Sequence, residues 1–206
     1  MSGETKNKIA AVALRLFSQN GYPGTSMSDI AVQLGITKPA LYKHYTSKHE
    51  ILEGIVKRMS DMDCERAGEY GMPGDVTDEA ADAYMNTPTE KIRAYSIAQF
   101  RHWTEDEFSA RFRRMLTVEQ YRDAEMARLY QKYLAAGPAE YMAAIFRQMT
   151  ENDDEATQLA LDFYGPMFLL YSVYDGAEDK KAVIGMLGSH IDRFISRMND
   201  MKETTK

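Results

Sequence analysis

Apolar residues at Ile9, Val12, Ala13, Leu16 and Phe17 recur at the three-to-four spacing of a helix, and the pattern stops where Gly21, Pro23 and Gly24 follow. Ser26 and Asp29 then open a second, short helix that turns Ile30, Ala31 and Leu34 inward and ends at Gly35. Thr37 caps a third, with Pro39 in its first turn, where a missing N–H costs little, and the helix runs to about Tyr45. Ser47 and Glu50 have the spacing of a capping box for a long fourth helix through Ile51, Leu52, Ile55, Val56 and Met59.

Residues 68–78, with Gly68, Gly71, Pro73 and Gly74, read as a break, followed by a possible short helix after Asp78 and a stop at Pro88. Helical periodicity resumes near Thr89 and predicts helices over about 89–104, 106–116, 121–150 (broken near Gly137 and Pro138), 155–174 and 178–201. No stretch alternates with the period of two that a half-buried strand requires. The expected fold class is all-α: a three-helix head over residues 1–47 and a helical body over 48–206.

Charge divides along the same line. The whole chain carries 25 basic and 31 acidic side chains, a formal charge of -6, which argues against nucleic acid as a partner if the protein is treated as one body. Residues 1–60 hold eight of the basic groups (Lys6, Lys8, Arg15, Lys38, Lys43, Lys48, Lys57, Arg58) and four of the acidic ones (Glu4, Asp29, Glu50, Glu53). That leaves 17 basic and 27 acidic groups beyond residue 60. A basic head on an acidic body fits a reader of DNA, whose phosphates attract the one and repel the other; chance clustering of surface charge is the alternative.

The stretch from Thr25 to Leu52 reads TSMSDIAVQLGITKPALYKHYTSKHEIL. Ala31 lies one turn before Gly35, so a small side chain sits where the third helix crosses the second and glycine supplies the turn. Ile30, Leu34, Ile36, Leu41 and Tyr45 are expected to fill the space between, while Thr37, Lys38, Ala40, Lys43 and His44 project outward.

This segment resembles the TetR family of bacterial transcriptional regulators over residues 8–56: the Ile-Ala, Gly-Ile and Leu-Tyr-x-His-aromatic pattern is followed at the family's spacing by Lys48. The resemblance implies that Thr37, Lys38, Pro39 and Ala40 face the major groove of an operator. It implies that Tyr42, Lys43 and His44 approach the backbone, that Lys48 holds a phosphate and that Ser26 adds a further phosphate contact. It implies a repressor acting as a homodimer on palindromic double-stranded DNA and released by a small-molecule inducer. Two apolar stripes on the last two helices serve core, partner or both; Phe163, Met167, Leu170 and Tyr174 on one and Leu187, Ile191, Phe194 and Met198 on the other are the expected dimer interface.

The middle helices are rich in aromatic residues, and Tyr95, Gln99, His102 and Trp103 share one helical face. With Tyr130 and Tyr133 they are the candidate ligand pocket, plain core being the alternative. No cofactor, metal set or catalytic constellation is expected: His102 and Glu105 lack a second Glu-x-x-His pair, and there is no phosphate-binding loop, dinucleotide fingerprint or nucleophile elbow. The lone Cys64 suits a reducing cytoplasm, and the apolar run around Met167 to Val173 is too short to span a bilayer. A small-molecule sensor or partner-binding helical protein without DNA recognition is the alternative function.

Overall fold

The computed structural model describes residues 2–72, 87–150 and 152–204. The possible helix after Asp78 lies outside them. Among the described residues there are ten helices and no strand: α1 (Ser2–Asn20), α2 (Met27–Leu34), α3 (Lys38–Tyr42), α4 (Lys48–Glu69), α5 (Thr89–Glu105), α6 (Glu107–Glu119), α7 (Ala124–Leu134), α8 (Ala136–Phe146), α9 (Asp153–Gly176) and α10 (Lys180–Thr204). None of these helices is long and apolar enough to cross a membrane.

The chain divides into two compact units. The first comprises Met1–Cys64 and Asp106–Tyr130, the second Glu65–Glu105 and Gln131–Lys206. The unit that holds α1, α2 and α3 thus extends beyond residues 1–47. Its core is built from Ile9, Ala13, Leu14 and Phe17 of α1, Ile30 and Ala31 of α2, Leu41 of α3 and Ile51, Leu52, Ile55 and Met59 of α4. It is completed by Phe108, Phe112, Met115 and Leu116 of α6, against which α1 packs. Each fully buried side chain of this size contributes roughly 1.5–3 kcal/mol. Helix α6 adds its own apolar face to that core.

The second unit packs α9 against α8, α10 and α5, with α10 also on α5. Phe146, Phe163 and Phe194 meet pairwise at centroid distances of 5.1–6.4 Å, and Phe100 stacks on Tyr171 at 5.2 Å with Tyr174 at its edge. The helical stretch expected over 121–150 with a break near Gly137 and Pro138 is two helices that meet at Ala135, with Gly137 and Pro138 in the first turn of the second.

All eight residues expected at a dimer interface (Phe163, Met167, Leu170, Tyr174, Leu187, Ile191, Phe194 and Met198) are buried within this unit itself. They belong to the unit's own core, because α9 and α10 turn that stripe onto each other and onto α5 and α8. The apolar residues that the same helices leave exposed are different: Leu161, Phe168, Leu169 (62% exposed), Val173 and Met186 (55%).

Candidate nucleic-acid interface

The turn between α1 and α2 begins at Gly21, whose φ of 81° is left-handed. Thr25, buried at its end, donates its hydroxyl to the Gly21 carbonyl at 3.0 Å. Helix α2 starts with a full capping box: the Asp29 N–H donates to Ser26 Oγ at 3.2 Å, and the Ser26 N–H and hydroxyl donate to Asp29 Oδ2 at 2.8 and 2.6 Å. Those bonds hold the Asp29 carboxyl below its usual range. Gly35, at φ 67°, ends α2; the Ile36 N–H then bonds the Ala31 carbonyl at 3.1 Å, closing a Schellman-type turn. That turn throws the Ile36 side chain outward, so it is exposed and does not help fill the interior as expected.

Thr37 caps α3 by accepting from the Ala40 N–H at 3.3 Å, and Pro39 lies in its first turn. The helix ends at Tyr42, before the expected Tyr45, which is buried against the core. Thr37, Lys38, Pro39, Tyr42 and Lys43 are exposed, Ala40 and His44 half-buried. The N-terminal end of α3 thus presents a small, uncharged and basic surface to solvent, with the Lys38 ammonium 5.9 Å from the centre of the Tyr42 ring. That surface has the size and polarity to approach base edges.

Two residues expected on phosphate have local partners. The Ser26 hydroxyl is held by Asp29. The Lys48 ammonium donates to the carbonyls of Tyr22 at 2.6 Å and Thr25 at 2.9 Å and lies 4.4 Å over the Tyr22 ring. Burial lowers its pKa from the ordinary lysine value and the charge of Glu119 offsets part of that. An ammonium has three donors, so one N–H remains after the two carbonyl bonds. Sequence spacing put Lys48 at the start of α4 but gave no sign that it ties the start of that helix to the α1–α2 turn.

The cap of α4 is split between two residues. The Glu50 N–H donates to Ser47 Oγ at 3.0 Å as a capping box requires, but the Glu50 carboxylate accepts from the backbone and hydroxyl of Thr46, at 2.5 and 2.8 Å, rather than from Ser47. Those bonds lower the Glu50 pKa. Glu119 of α6, 1% exposed, was not singled out from sequence. Its Oε1 lies where a β-carbon on Gly21 would come within 2.8 Å, and its nearest charged neighbour is Arg122 at 3.6 Å.

In the second unit, His102 and Trp103 of α5 are buried and in contact at 5.9 Å, with Tyr95 and Gln99 half-buried on the same face and the Tyr133 ring 6.3 Å from Trp103. Tyr130 belongs to the first unit. Sequence reasoning missed Arg66 of α4, which donates from Nη2 to His102 Nδ1. A separate apolar cavity of about 110 Å³, lined by Ile92, Met142, Ile145, Phe146 and Phe194 among others, contains none of the expected pocket residues. Among the described residues no group of His, Cys, Asp and Glu could hold a metal ion.

Residues 9–55 match the model of bacterial regulatory proteins of the tetR family. The chain is 48% identical over 52 residues to IcaR of Staphylococcus aureus, the negative transcriptional regulator of the biofilm operon icaADBC, and 44% identical over 52 residues to the transcriptional regulator AcrR of Shigella flexneri. Each match covers 25% of this chain, and it spans only 28% of IcaR and 24% of AcrR. Solved structures extend the likeness to nearly the whole fold. A Mesorhizobium loti protein described as a TetR-family transcriptional regulator has a TM-score of 0.64 at 16% identity, over 95% of this chain and 97% of its own. SmeT in complex with triclosan has a TM-score of 0.65 at 19% identity, over 94% and 91%.

Proposed function

We propose that this chain, whose residues 9–55 match the tetR-family model, is a cytoplasmic transcriptional repressor of that family that binds a palindromic operator as a homodimer and leaves it when a small molecule occupies its helical body. The observation that carries the reading is the end of α3: Thr37, Lys38 and Pro39 stand exposed on a helix whose neighbours on both sides are fixed by caps and by a glycine turn. Rigid placement of a short helix with small and basic side chains is what reading a major groove demands. Thr37 to Ala40 set sequence preference. Ser26, Tyr42, Lys43, His44 and the remaining N–H of Lys48 engage the backbone.

One short helix in one groove gives little discrimination, so readers of this class pair across half-sites about 34–36 Å apart. The exposed apolar residues of α9 and α10, Leu161, Phe168, Leu169, Val173 and Met186, are the surface for that pairing. On α9 they recur with Gly165, Ser172 and Gly176, small residues that let a partner helix approach. Release follows if the ligand prefers one of two states of the body; a coupling of about 1–3 kcal/mol lowers operator affinity roughly five- to 150-fold. That SmeT, of the same fold, is found with triclosan supports a small organic molecule as the signal. The reading is tested by selecting bound sequences from random DNA and repeating the binding with Lys38→Ala, which is expected to change the selected sequence. Loss of affinity without a change in preference would remove Lys38 from base recognition. Undetectable DNA binding at low salt would favour the sensor without DNA recognition.

A further inference from the structure

The polar face of α5 meets the end of α4 along two rungs. Arg66 of α4 donates to His102, and just past the end of α4 the ring of Tyr70 lies 5.7 Å from that of Tyr95, seven residues before His102 on α5. Gln99 falls between the rungs by helical spacing, and Trp103 flanks His102. The two helices thus run a strip of four aromatic or heteroaromatic rings past a guanidinium.

Arg66 is the unusual member. Arginine remains charged at all relevant pH and has five donors. Here one donor reaches His102 Nδ1, a neutral acceptor, while Nε is fully shielded from solvent and has no hydrogen-bond partner. Among the described residues no carboxylate lies within ion-pair distance of it, although the chain has more acidic than basic side chains. A buried guanidinium N–H without an acceptor costs free energy that an incoming anion would recover. Because Arg66 is obligatorily the donor, Nδ1 of His102 is the acceptor, and the neutral ring carries its proton on Nε2.

We propose that the regulatory ligand is an organic carboxylate whose headgroup pairs with Arg66 and whose apolar or aromatic body lies along Tyr70, Tyr95 and Trp103. This rests on the reading that the helical body binds a small molecule, and it names that molecule's class. A planar guanidinium with two adjacent N–H groups matches a carboxylate in a two-point geometry that a neutral amide does not reproduce. Arg66 lies on α4, eighteen residues beyond Lys48 on the same helix. An anion that reorients Arg66 acts on the helix that begins at the DNA-reading head.

Trp103 is the chain's sole tryptophan, so its emission reports on the site. The full chain is titrated with benzoate, phenylacetate and octanoate, each beside its neutral amide, following Trp103 fluorescence and operator binding. At least one acid is expected to shift the emission, and its amide to bind at least about tenfold more weakly. Arg66→Gln is expected to abolish acid binding, whereas Arg66→Lys, which keeps the charge, retains part of it. Equal binding of acid and amide, an unaltered Arg66→Gln titration in a folded variant, or no response to any of the three acids up to about 10 mM overturns the proposal. The two readings fail separately. Release of operator by a neutral molecule alone leaves the repressor intact and removes the carboxylate, whereas acid binding at Arg66 without any DNA binding keeps the site and removes the repressor.

Discussion

Replacing Gly21 by alanine combines two penalties that the structure allows to be separated. At φ 81° an alanine is held in the left-handed region, which costs about 1–2 kcal/mol for a residue with a β-carbon. The added methyl also arrives 2.8 Å from Oε1 of buried Glu119, closer than real β-carbons approach. Displacing a packed group of that kind costs typically about 1–3 kcal/mol more. Gly35→Ala is the internal control: its φ of 67° carries the same conformational penalty, but nothing lies within 4 Å of the new methyl. Gly21→Ala is therefore expected to lose about 2–5 kcal/mol in urea unfolding followed by circular dichroism, and Gly35→Ala only about 1–2. Because the α1–α2 turn supplies the carbonyls that hold Lys48, Gly21→Ala is also expected to weaken DNA binding more than Gly35→Ala does. Equal destabilisation by the two substitutions would refute the contact between Gly21 and Glu119.

Lys48→Met removes charge-assisted bonds to the Tyr22 and Thr25 carbonyls at a half-buried site; stability is expected to fall by about 1 kcal/mol, and the salt dependence of DNA binding to flatten by at most about one phosphate contact, both read from titrations. Leu169→Glu, on the exposed stripe, is expected to give a monomeric mass in light scattering without loss of helix, whereas Phe194→Ala is expected to destabilise the body by about 3–5 kcal/mol; a folded Leu169→Glu dimer would remove the stripe from the interface. The lowered pKa values of Asp29 and Glu50 mean that their caps stabilise above the ordinary carboxylate values of 3.8 and 4.5 and lose that contribution as pH falls through the folded-state values, so amide protection at the starts of α2 and α4, taken relative to the unstructured chain at the same pH, is expected to fall on acidification below those values, and Asp29→Asn to flatten the effect at α2.

What could be read in the sequence was local. Ser26 with Asp29, Gly35, and Thr37 with Pro39 act through the backbone within a turn of their own position, and each capped or ended a helix where its chemistry required. Ile36 defied its hydrophobicity because the left-handed Gly35 reorients the chain just before it. The Glu50 carboxylate found Thr46 rather than Ser47, a choice between adjacent N–H groups that spacing does not decide. Longer-range packing was hidden. Helix α9 is apolar on more than one face, so its period does not say whether Phe163 and Met167 or Phe168 and Leu169 turn inward. Nor does any local signal assign α6 to the head or bring Arg66 to His102.

Operator recognition by a pair of chains is decided by sequence selection on the purified full chain, followed by titration of the selected duplex with stoichiometry and salt dependence. A dimeric reader is expected to enrich a palindrome bound by two chains, with an affinity that falls steeply with salt and an altered half-site for Lys38→Ala. Failure to enrich any sequence, or binding to one that Lys38→Ala and Thr37→Ala leave unchanged, would contradict it.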